Sequence, residues 1–276
     1  NCGLVGQNAC VEVDGAAYWM SENGFFRYGG KLESLPCLVE DHVYDDINLA
    51  SGNQMVSAGL NNLFGEIIWF YPSSTSDVVN KMVAYNYFDS SIKRPVWTVG
   101  TLARTMWRDS AVFGKPHALE YDASTDTSFD VVGNTEGRTA YYEHETGTDQ
   151  NKNGTITAVL SNISSGDYDI TQRTLRGLGG VADFRGDGEH IMKIRRFVPD
   201  FISQTGTTRI TLQLKNYPNS TQGSSPLGPF DITTSTTKVD TRARARAISL
   251  KIENTAVDQS WKLGTFRLDV QPDGRR

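Results

Sequence analysis

The sequence has 276 residues, a formal net charge of −5 and 38% hydrophobic residues, enough apolar material for one large folded unit or two smaller ones. No apolar run approaches the roughly 20 residues of a membrane-spanning helix, no signal peptide is visible, and the net acidity argues against a general nucleic-acid binder. The chain begins at Asn1 without methionine, so we expect a fragment or a processed product.

The first elements in chain order are short strands joined by tight turns. Residues 17–20 and 25–28 are apolar stretches of strand length, and Glu22-Asn23-Gly24 between them is a strong hairpin signal. Short strands at this spacing, with aromatic residues beside glycine turns, predict a meander of the kind that builds propeller blades.

A long apolar run follows at residues 63–71 (LFGEIIWFY), and it predicts a buried central strand with a hairpin partner at 80–88. Ahead of this run, Asp45-Asp46-Ile47-Asn48 offers capping residues for a short helix through Ala50. Further strands are predicted at 96–99, 102–108, 117–121, 138–144 and 156–160.

The C-terminal part has a more regular strand pattern, at 189–198 and 209–217. Residues 220–237 are rich in serine, threonine, glycine and proline, which predicts a long loop or arm. We therefore predict an all-β protein with a propeller-like aromatic meander over 1–195. A smaller β-sandwich-like unit is predicted over 196–276, with a Ser/Thr-rich loop at 219–237.

Residues 241–253 alternate in an unusual way. The even positions share one strand face and carry, in order, Arg242, Arg244, Arg246, Ile248, Leu250 and Ile252. One face would therefore begin basic and end apolar. Either a bulge near Ala247 flips the register, or the strand extends beyond its sheet and the arginines meet water or a partner. The arginines are accordingly either a solvated face or an interface.

A second C-terminal strand is predicted at 265–270. Phe266, Leu268 and Val270 would point inward, with Arg267 and Asp269 outward. The turn residues 271–274 would then end the strand.

Two short segments contain metal-ligand residue types. Asp149, Asn151, Asn153 and Gly154 match the start of a calcium loop, but its twelfth position is Leu160, where a bidentate glutamate is needed. A polar hairpin loop is the alternative. Glu143-His144-Glu145 are adjacent on a strand and would point to opposite faces, so they are not expected to converge.

Carboxylates in one loop provide the main enzymatic alternative. Paired acids could serve glycoside hydrolysis, and the candidates are Asp122, Asp126, Asp130 and Glu136; a solvated acidic loop is the simpler interpretation. Five tryptophans are spread along the chain, and we interpret them as core residues of successive sheets rather than a sugar platform: Trp19, Trp69, Trp97, Trp107 and Trp261. We predict no catalytic, metal or cofactor residues.

Three remaining patterns carry little functional information. The chain has an odd number of cysteines, and their spacing fits no metal site: Cys2, Cys10 and Cys37. This pattern favours buried free thiols in a protein folded in the cytosol. The tripeptide 185–187 (RGD) is followed by glycine and is typical of a plain turn. Asn153, Asn162 and Asn219 begin glycosylation sequons, which require secretion.

The order of several segments resembles the tail nozzle family of short-tailed bacteriophages, also described as tail tubular or packaged-DNA stabilisation proteins. The segments are AYWMSENGFFRYGG, LPC, EIIWFYPS, AYNY, VWTVGTLARTMW, YYEHETG and RARARAISLKIE…WKLGTFRLDVQPDGRR, and they extend from about residue 11 to residue 276. No single motif is diagnostic. The region 145–190 is longer and more polar than the family pattern.

The resemblance implies a propeller-containing structural subunit of the virion tail, assembled in the host cytoplasm. Copies would form a ring of six below the portal and tail adaptor, extend the DNA channel and retain the packaged genome until ejection. Double-stranded DNA would pass through without sequence-specific binding, and no membrane would be involved. We expect Arg242, Arg244 and Arg246 at the subunit interface, with Trp261 and Phe266 as core beneath them. A carbohydrate-binding or carbohydrate-cleaving tail protein is the alternative function.

Overall fold

The computed structural model describes residues 2–50, 53–91, 94–110, 113–122, 138–152, 154–170, 190–217 and 225–274. In these ranges the chain consists mainly of short strands in small, open antiparallel sheets, which confirms the predicted all-β class. The chain forms two compact units, 1–146 and 147–276, named unit 1 and unit 2 below. Residue 195, where the sequence predicts the boundary, lies inside the unit 2 strand Met192–Val198.

The first sheet of unit 1 is a meander in chain order, with strands β1 (Cys10–Val13), β2 (Ala16–Ser21), β3 (Gly24–Tyr28) and β4 (Leu32–Leu35). Asp14 and Gly15 at its first turn both have positive φ, 50° and 76°, as a two-residue type I′ turn requires. Ser21 faces Gly24 across the next turn. The hairpin predicted from Glu22-Asn23-Gly24 is therefore confirmed.

The second sheet of unit 1 is also a meander, with strands β5 (Ser57–Asn61), β6 (Glu66–Tyr71), β7 (Lys81–Asn86) and β8 (Trp97–Gly100). Strand β6 pairs with β5 on one side and β7 on the other, so the predicted buried central strand is confirmed. It begins three residues later than predicted, because Leu63 and Phe64 lie exposed in the preceding turn.

Unit 1 has an aromatic core. Phe25, Trp69 and Trp97 lie with ring centroids 4.7 to 6.1 Å apart, in the range where aromatic pairs attract. The opposite face of β6 is covered by Trp107, whose ring lies 5.7 Å from that of Phe70. Three of the five tryptophans thus pack inside this unit, as the sequence predicts.

The predicted helix over Asp45 to Ala50 is wrong in position. The helix, α1, spans Glu40–Tyr44, and Asp45 is its C-terminal cap; one 3-10 turn follows at Asn53–Met55. Tertiary contacts fix α1 there, because Val43 is fully buried and the Tyr44 hydroxyl donates to the carbonyl groups of Ser21 and Gly24. Within the described ranges, no helix has both the length and the apolar character needed to cross a bilayer.

Unit 1 ends in a three-stranded sheet, with β9 (Met106–Arg108), β10 (His117–Asp122) and β11 (Arg138–Glu143) in the order β11-β10-β9. The strand predicted at 138–144 is therefore confirmed to within one residue. The outer strand β9 also lies close to β5, which brings this sheet against the second one.

Unit 2 contains a hairpin, β12 (Asp149–Lys152) with β13 (Thr155–Ala158), and three further sheets. Their orders are β14-β20-β17-β18, β19-β15-β22 and β16-β21. The bounds are β14 (Asn162–Ser164), β15 (Met192–Val198), β16 (Phe201–Thr205), β17 (Thr208–Lys215), β18 (Ser225–Ile232), β19 (Val239–Ala245), β20 (Ala247–Glu253), β21 (Ser260–Leu263) and β22 (Arg267–Pro272).

The predicted loop at 220–237 is wrong over much of its length. Strand β18 occupies Ser225–Ile232 and pairs antiparallel with β17, while 218–224 lie outside the described residues. The strand forms because Leu227, Phe230 and Ile232 contribute to the apolar core. A register shift opposite Ile210 and Leu212 accommodates Pro229, since a proline cannot donate to a regular ladder.

Candidate interaction surface

The alternation at 241–253 is explained by a break at Arg246. Strand β19 ends at Ala245 and β20 begins at Ala247, and the two strands belong to different sheets. The Arg246 N–H donates to the Lys215 carbonyl at 3.0 Å, at the end of β17. The parity of the buried positions therefore changes at this residue, as the predicted register flip requires.

Burial follows this break. On β19 the odd positions Ala243 and Ala245 are buried, and Arg242 and Arg244 are exposed. On β20 the even positions are the buried ones: Ile248, Leu250 and Ile252. Arg246 itself is half-buried, so it does not continue the exposed row of the other two arginines.

The sheet β19-β15-β22 presents an outward surface dominated by cations. Its exposed basic side chains, named the basic face below, are Lys193, Arg195, Arg196, Arg242, Arg244 and Arg267. Lys193 pairs directly opposite Arg244 across β15 and β19. Like charges at such a position repel each other, so an anionic partner would relieve a local cost.

Acids neutralise only part of the basic face. Arg196 lies 3.6 Å from Asp240 and 3.5 Å from Asp269, and Arg244 forms an ion pair with Asp273. The other four cations of the face have no ion pair within the described part of the chain. The surplus positive charge is therefore open to solvent or to another molecule.

Among the strands that the structure describes, β19 pairs with β15 alone in its sheet and is therefore an edge strand. An edge strand presents unpaired backbone groups to any chain that reaches it, and charged side chains beside it select the partner. Edge position and positive charge thus coincide on β19.

Trp261 and Phe266 are core residues, but not directly beneath the arginines. Phe266 stacks on Phe197 with ring centroids 5.4 Å apart, and both belong to the cluster built around Ile210 and Leu212. Trp261 packs against the same cluster. The residues under Arg242 and Arg244 form a separate cluster, which contains Ala243, Ala245, Met192, Ile194 and Ile248.

The charges of the two units are opposite in sign. Unit 1 contains 9 lysines and arginines against 19 aspartates and glutamates, a net charge of −10. Unit 2 contains 18 against 13, a net charge of +5. The net charge of −5 for the whole chain is therefore the sum of one acidic and one basic unit. Such a charge difference favours association between unlike surfaces.

The calcium-like segment forms a hairpin turn. The Asn151 side-chain oxygen accepts a hydrogen bond from Gly154 N–H at 2.9 Å, and Asp149 Oδ2 accepts one from Asp258 N–H at 2.8 Å. Asn153 lies outside the described residues. In the ranges that the structure describes, no three histidine, cysteine, aspartate or glutamate side chains gather as a metal site.

Glu143, His144 and Glu145 do not converge, as predicted. Glu143 pairs with Lys115 at 3.0 Å, and Glu145 Oε1 accepts from Asn61 Nδ2 at 3.0 Å. His144 Nε2 accepts a hydrogen bond from Arg104 Nε at 2.8 Å, so the proton of the neutral ring lies on Nδ1.

The sequence did not indicate the buried polar cluster around Arg104. This side chain is 4% exposed; its guanidinium donates to Glu120 at 2.9 Å and lies 4.1 Å from the centre of the Tyr142 ring. Burial, and then the charge of Arg104, lower the pKa of His144 to about 4. The residues of this cluster come from three separate segments of the chain, so no local sequence spacing predicts it.

Several predicted features fall outside the described residues: Asp126, Asp130, Glu136, Asn219 and the tripeptide 185–187. Asp122 ends β10, and Asn162 lies on β14 as an exposed residue. The cysteines are free as predicted, but their predicted burial is wrong for Cys2 and Cys10, which are exposed. Partial burial raises the pKa of the Cys37 thiol to about 11.

The chain matches no model of a known protein family and no curated protein.

Proposed function

We propose that the chain is a structural subunit of a phage tail nozzle, in which copies assemble into a ring around the DNA channel below the portal and adaptor. A ring of six retains the packaged genome in the virion tail and releases it at ejection. The proposal builds on the ordered motifs that resemble this family, from residues 11–28 to the C-terminal strands.

The sheet arrangement of unit 1 supports a propeller-like interpretation of this region. Sheets β1–β4 and β5–β8 are consecutive four-stranded antiparallel meanders, each in strict chain order. This is the construction of a propeller blade, and successive blades bury apolar faces against each other. Clusters of aromatic residues, such as Trp69 with Trp97, suit that role. We propose that unit 2 supplies a sandwich-like docking module.

The observation that carries the assembly proposal is the basic face beside the free edge of β19. A ring requires a heterologous contact, in which one surface of a subunit binds a different surface of the next. The basic face of unit 2 is opposite in charge to unit 1 of a neighbouring copy, whose net charge is −10. Arg242 and Arg244 are the proposed central contacts, with Arg246 anchoring the strand end.

The acidic balance of the chain fits a conduit for DNA. A wall of net negative charge repels phosphate groups and lets a duplex slide, whereas a basic wall would bind it. Burial of the basic face between subunits would remove the main cationic surface described here from the channel.

The test is the assembly state of the purified chain and of its triple variant Arg242→Glu, Arg244→Glu, Arg246→Glu. We expect the wild-type chain to form a closed ring, seen by size exclusion with light scattering and by electron microscopy. The variant should remain monomeric, because the substitutions at Arg242 and Arg244 place acids against an acidic neighbour.

The matched control is Arg209→Glu, Lys251→Glu, Lys262→Glu, which makes the same charge change on other sheets of unit 2. This control should assemble normally. Assembly of the first variant at wild-type concentration would show that the arginines are only solvated. Polysaccharide cleavage by a monomer, lost in Asp126→Asn or Asp130→Asn, would instead establish the carbohydrate-active alternative.

A further inference from the structure

A small polar site lies at one end of the β5–β6 hairpin in unit 1. Asn61 ends β5 and Glu66 begins β6, and the two residues are direct cross-strand partners. Partners in an antiparallel pair project from the same face of the sheet, with Cβ atoms about 5 Å apart. Asn61 and Glu66 are therefore neighbours on one face of the sheet.

Apolar groups close one wall of this site. Trp107 packs on Gly59, where an added Cβ would lie 2.6 Å from the indole ring, and the indole N–H donates to the Leu60 carbonyl at 2.9 Å. Gly59 and Asn61 share one face of β5, so the tryptophan shields the site from the interior side. A charge placed here is thus less screened than at an open surface.

Glu145 completes the site from a different segment. It follows β11 with a φ of 58°, which is uncommon for a residue with a side chain, and it is exposed. Its Oε1 accepts a hydrogen bond from Asn61 Nδ2 at 3.0 Å. The contact joins positions 84 residues apart and brings a second carboxylate to the same place.

The other end of the Asn61 side chain has no partner. Asn61 is 1% exposed, and its Oδ1 finds no hydrogen-bond donor in the described part of the chain. A buried carbonyl oxygen without a donor costs about 1–3 kcal/mol, so native proteins seldom leave one unused. A cation bound between this oxygen and the neighbouring carboxylates would satisfy it.

The two carboxylates also lack a cation. Neither Glu66 nor Glu145 forms an ion pair with lysine or arginine in the ranges that the structure describes. Both carboxylates are neighbours of the Asn61 side chain, Glu66 as its cross-strand partner and Glu145 as its hydrogen-bond acceptor, and a cation between them would offset their repulsion.

We propose that Asn61, Glu66 and Glu145 bind one calcium ion, with Asn61 Oδ1 at the buried end and Glu145 at the solvent end. All three supply hard oxygen ligands, which Ca²⁺ prefers. Ca²⁺ accepts irregular geometry and fills vacant positions with water, whereas Mg²⁺ demands a near-ideal octahedron. The inference does not depend on the proposed nozzle function.

The test is a calorimetric titration of the full chain with CaCl₂ at neutral pH, with NaCl at matched ionic strength as the reference. We expect one bound ion per chain and a melting temperature raised by about 3 °C at ten-fold excess over Kd. In Glu145→Gln the binding should weaken at least about ten-fold, since the side chain keeps its acceptor for Asn61 but loses its charge.

Glu143→Gln is the matched control, because this neighbouring exposed glutamate pairs with Lys115 instead. It should bind calcium as the wild-type chain does. No calcium-dependent heat or melting shift in the wild-type chain would overturn the proposal, as would a shift that NaCl reproduces. Equal calcium affinity in wild type and Glu145→Gln would also overturn it.

Discussion

The two units of this chain use charge in opposite ways. Unit 1 is strongly acidic, yet it buries a complete polar cluster in which Arg104, Glu120 and His144 satisfy each other. Unit 2 has a net positive charge, yet its cations lie on the outside of a sheet over a purely apolar layer. Ionic groups thus specify internal packing in unit 1, whereas in unit 2 they remain available to other molecules.

Truncation of a fully buried core residue should cause the largest loss of folding free energy in each unit. Trp69→Ala removes the central ring of an aromatic cluster that is fully buried, and we expect it to lower the free energy of unfolding by about 4 kcal/mol. Ile210→Ala, also fully buried, is the counterpart in unit 2 and should cost about 3 kcal/mol. Urea unfolding measures both. A loss below about 1 kcal/mol for Trp69→Ala would contradict the aromatic core.

The next effect contrasts a buried ion pair with exposed ones. Arg104→Met removes the cation from the ion pair with Glu120, whose side chain is 15% exposed, and we expect it to lower the free energy of unfolding by about 3 kcal/mol. Arg196→Met on the basic face breaks two solvent-exposed pairs and should cost less than about 1 kcal/mol. Equal losses in thermal unfolding would show that the two units do not differ in this respect.

The smallest effect is the pH dependence that His144 contributes to unit 1. Its pKa in the folded protein is about 4, below the value of about 6.5 for a free histidine. The folded state thus binds fewer protons than the unfolded state between these values. The stabilising contribution is complete above pH 6.5 and is lost as the pH falls towards 4, by about 2 kcal/mol after allowance for partial exposure.

The measurement compares unfolding at pH 7 and pH 4.5 in the wild-type chain and in His144→Gln, whose amide oxygen can still accept from Arg104. The variant should lose less stability on acidification. His42→Gln, at an exposed position on α1, serves as the control and should behave as the wild type does. An unchanged pH profile in His144→Gln would place the acid-sensitive groups elsewhere.

Local sequence patterns predicted the strands well where a single signal, such as a turn sequence or an apolar run, was decisive. The hairpin at Glu22-Asn23-Gly24 follows from turn chemistry, and β6 follows from its continuous apolar run. The inward and outward residues of β22 follow from simple alternation, although this strand continues to Pro272, beyond the predicted stop.

The predictions failed where long-range contacts outweighed composition. Strand β18 looks like a loop because proline, glycine and serine dominate it, but three apolar side chains and pairing with β17 make it a strand. Helix α1 lies earlier than its apparent cap because Tyr44 is held by distant carbonyl groups. The clusters around Arg104 and Asn61 are formed by segments far apart in the chain, and local sequence spacing cannot predict such long-range contacts.

The single residue between β19 and β20 has an evolutionary consequence. The number of residues at this joint is fixed by the two-residue period of strands. One inserted or deleted amino acid would turn Ser249 and Lys251 inward and expel Ile248, Leu250 and Ile252. Homologous chains should therefore exclude length changes at this joint, so that a gap in an alignment would fall elsewhere.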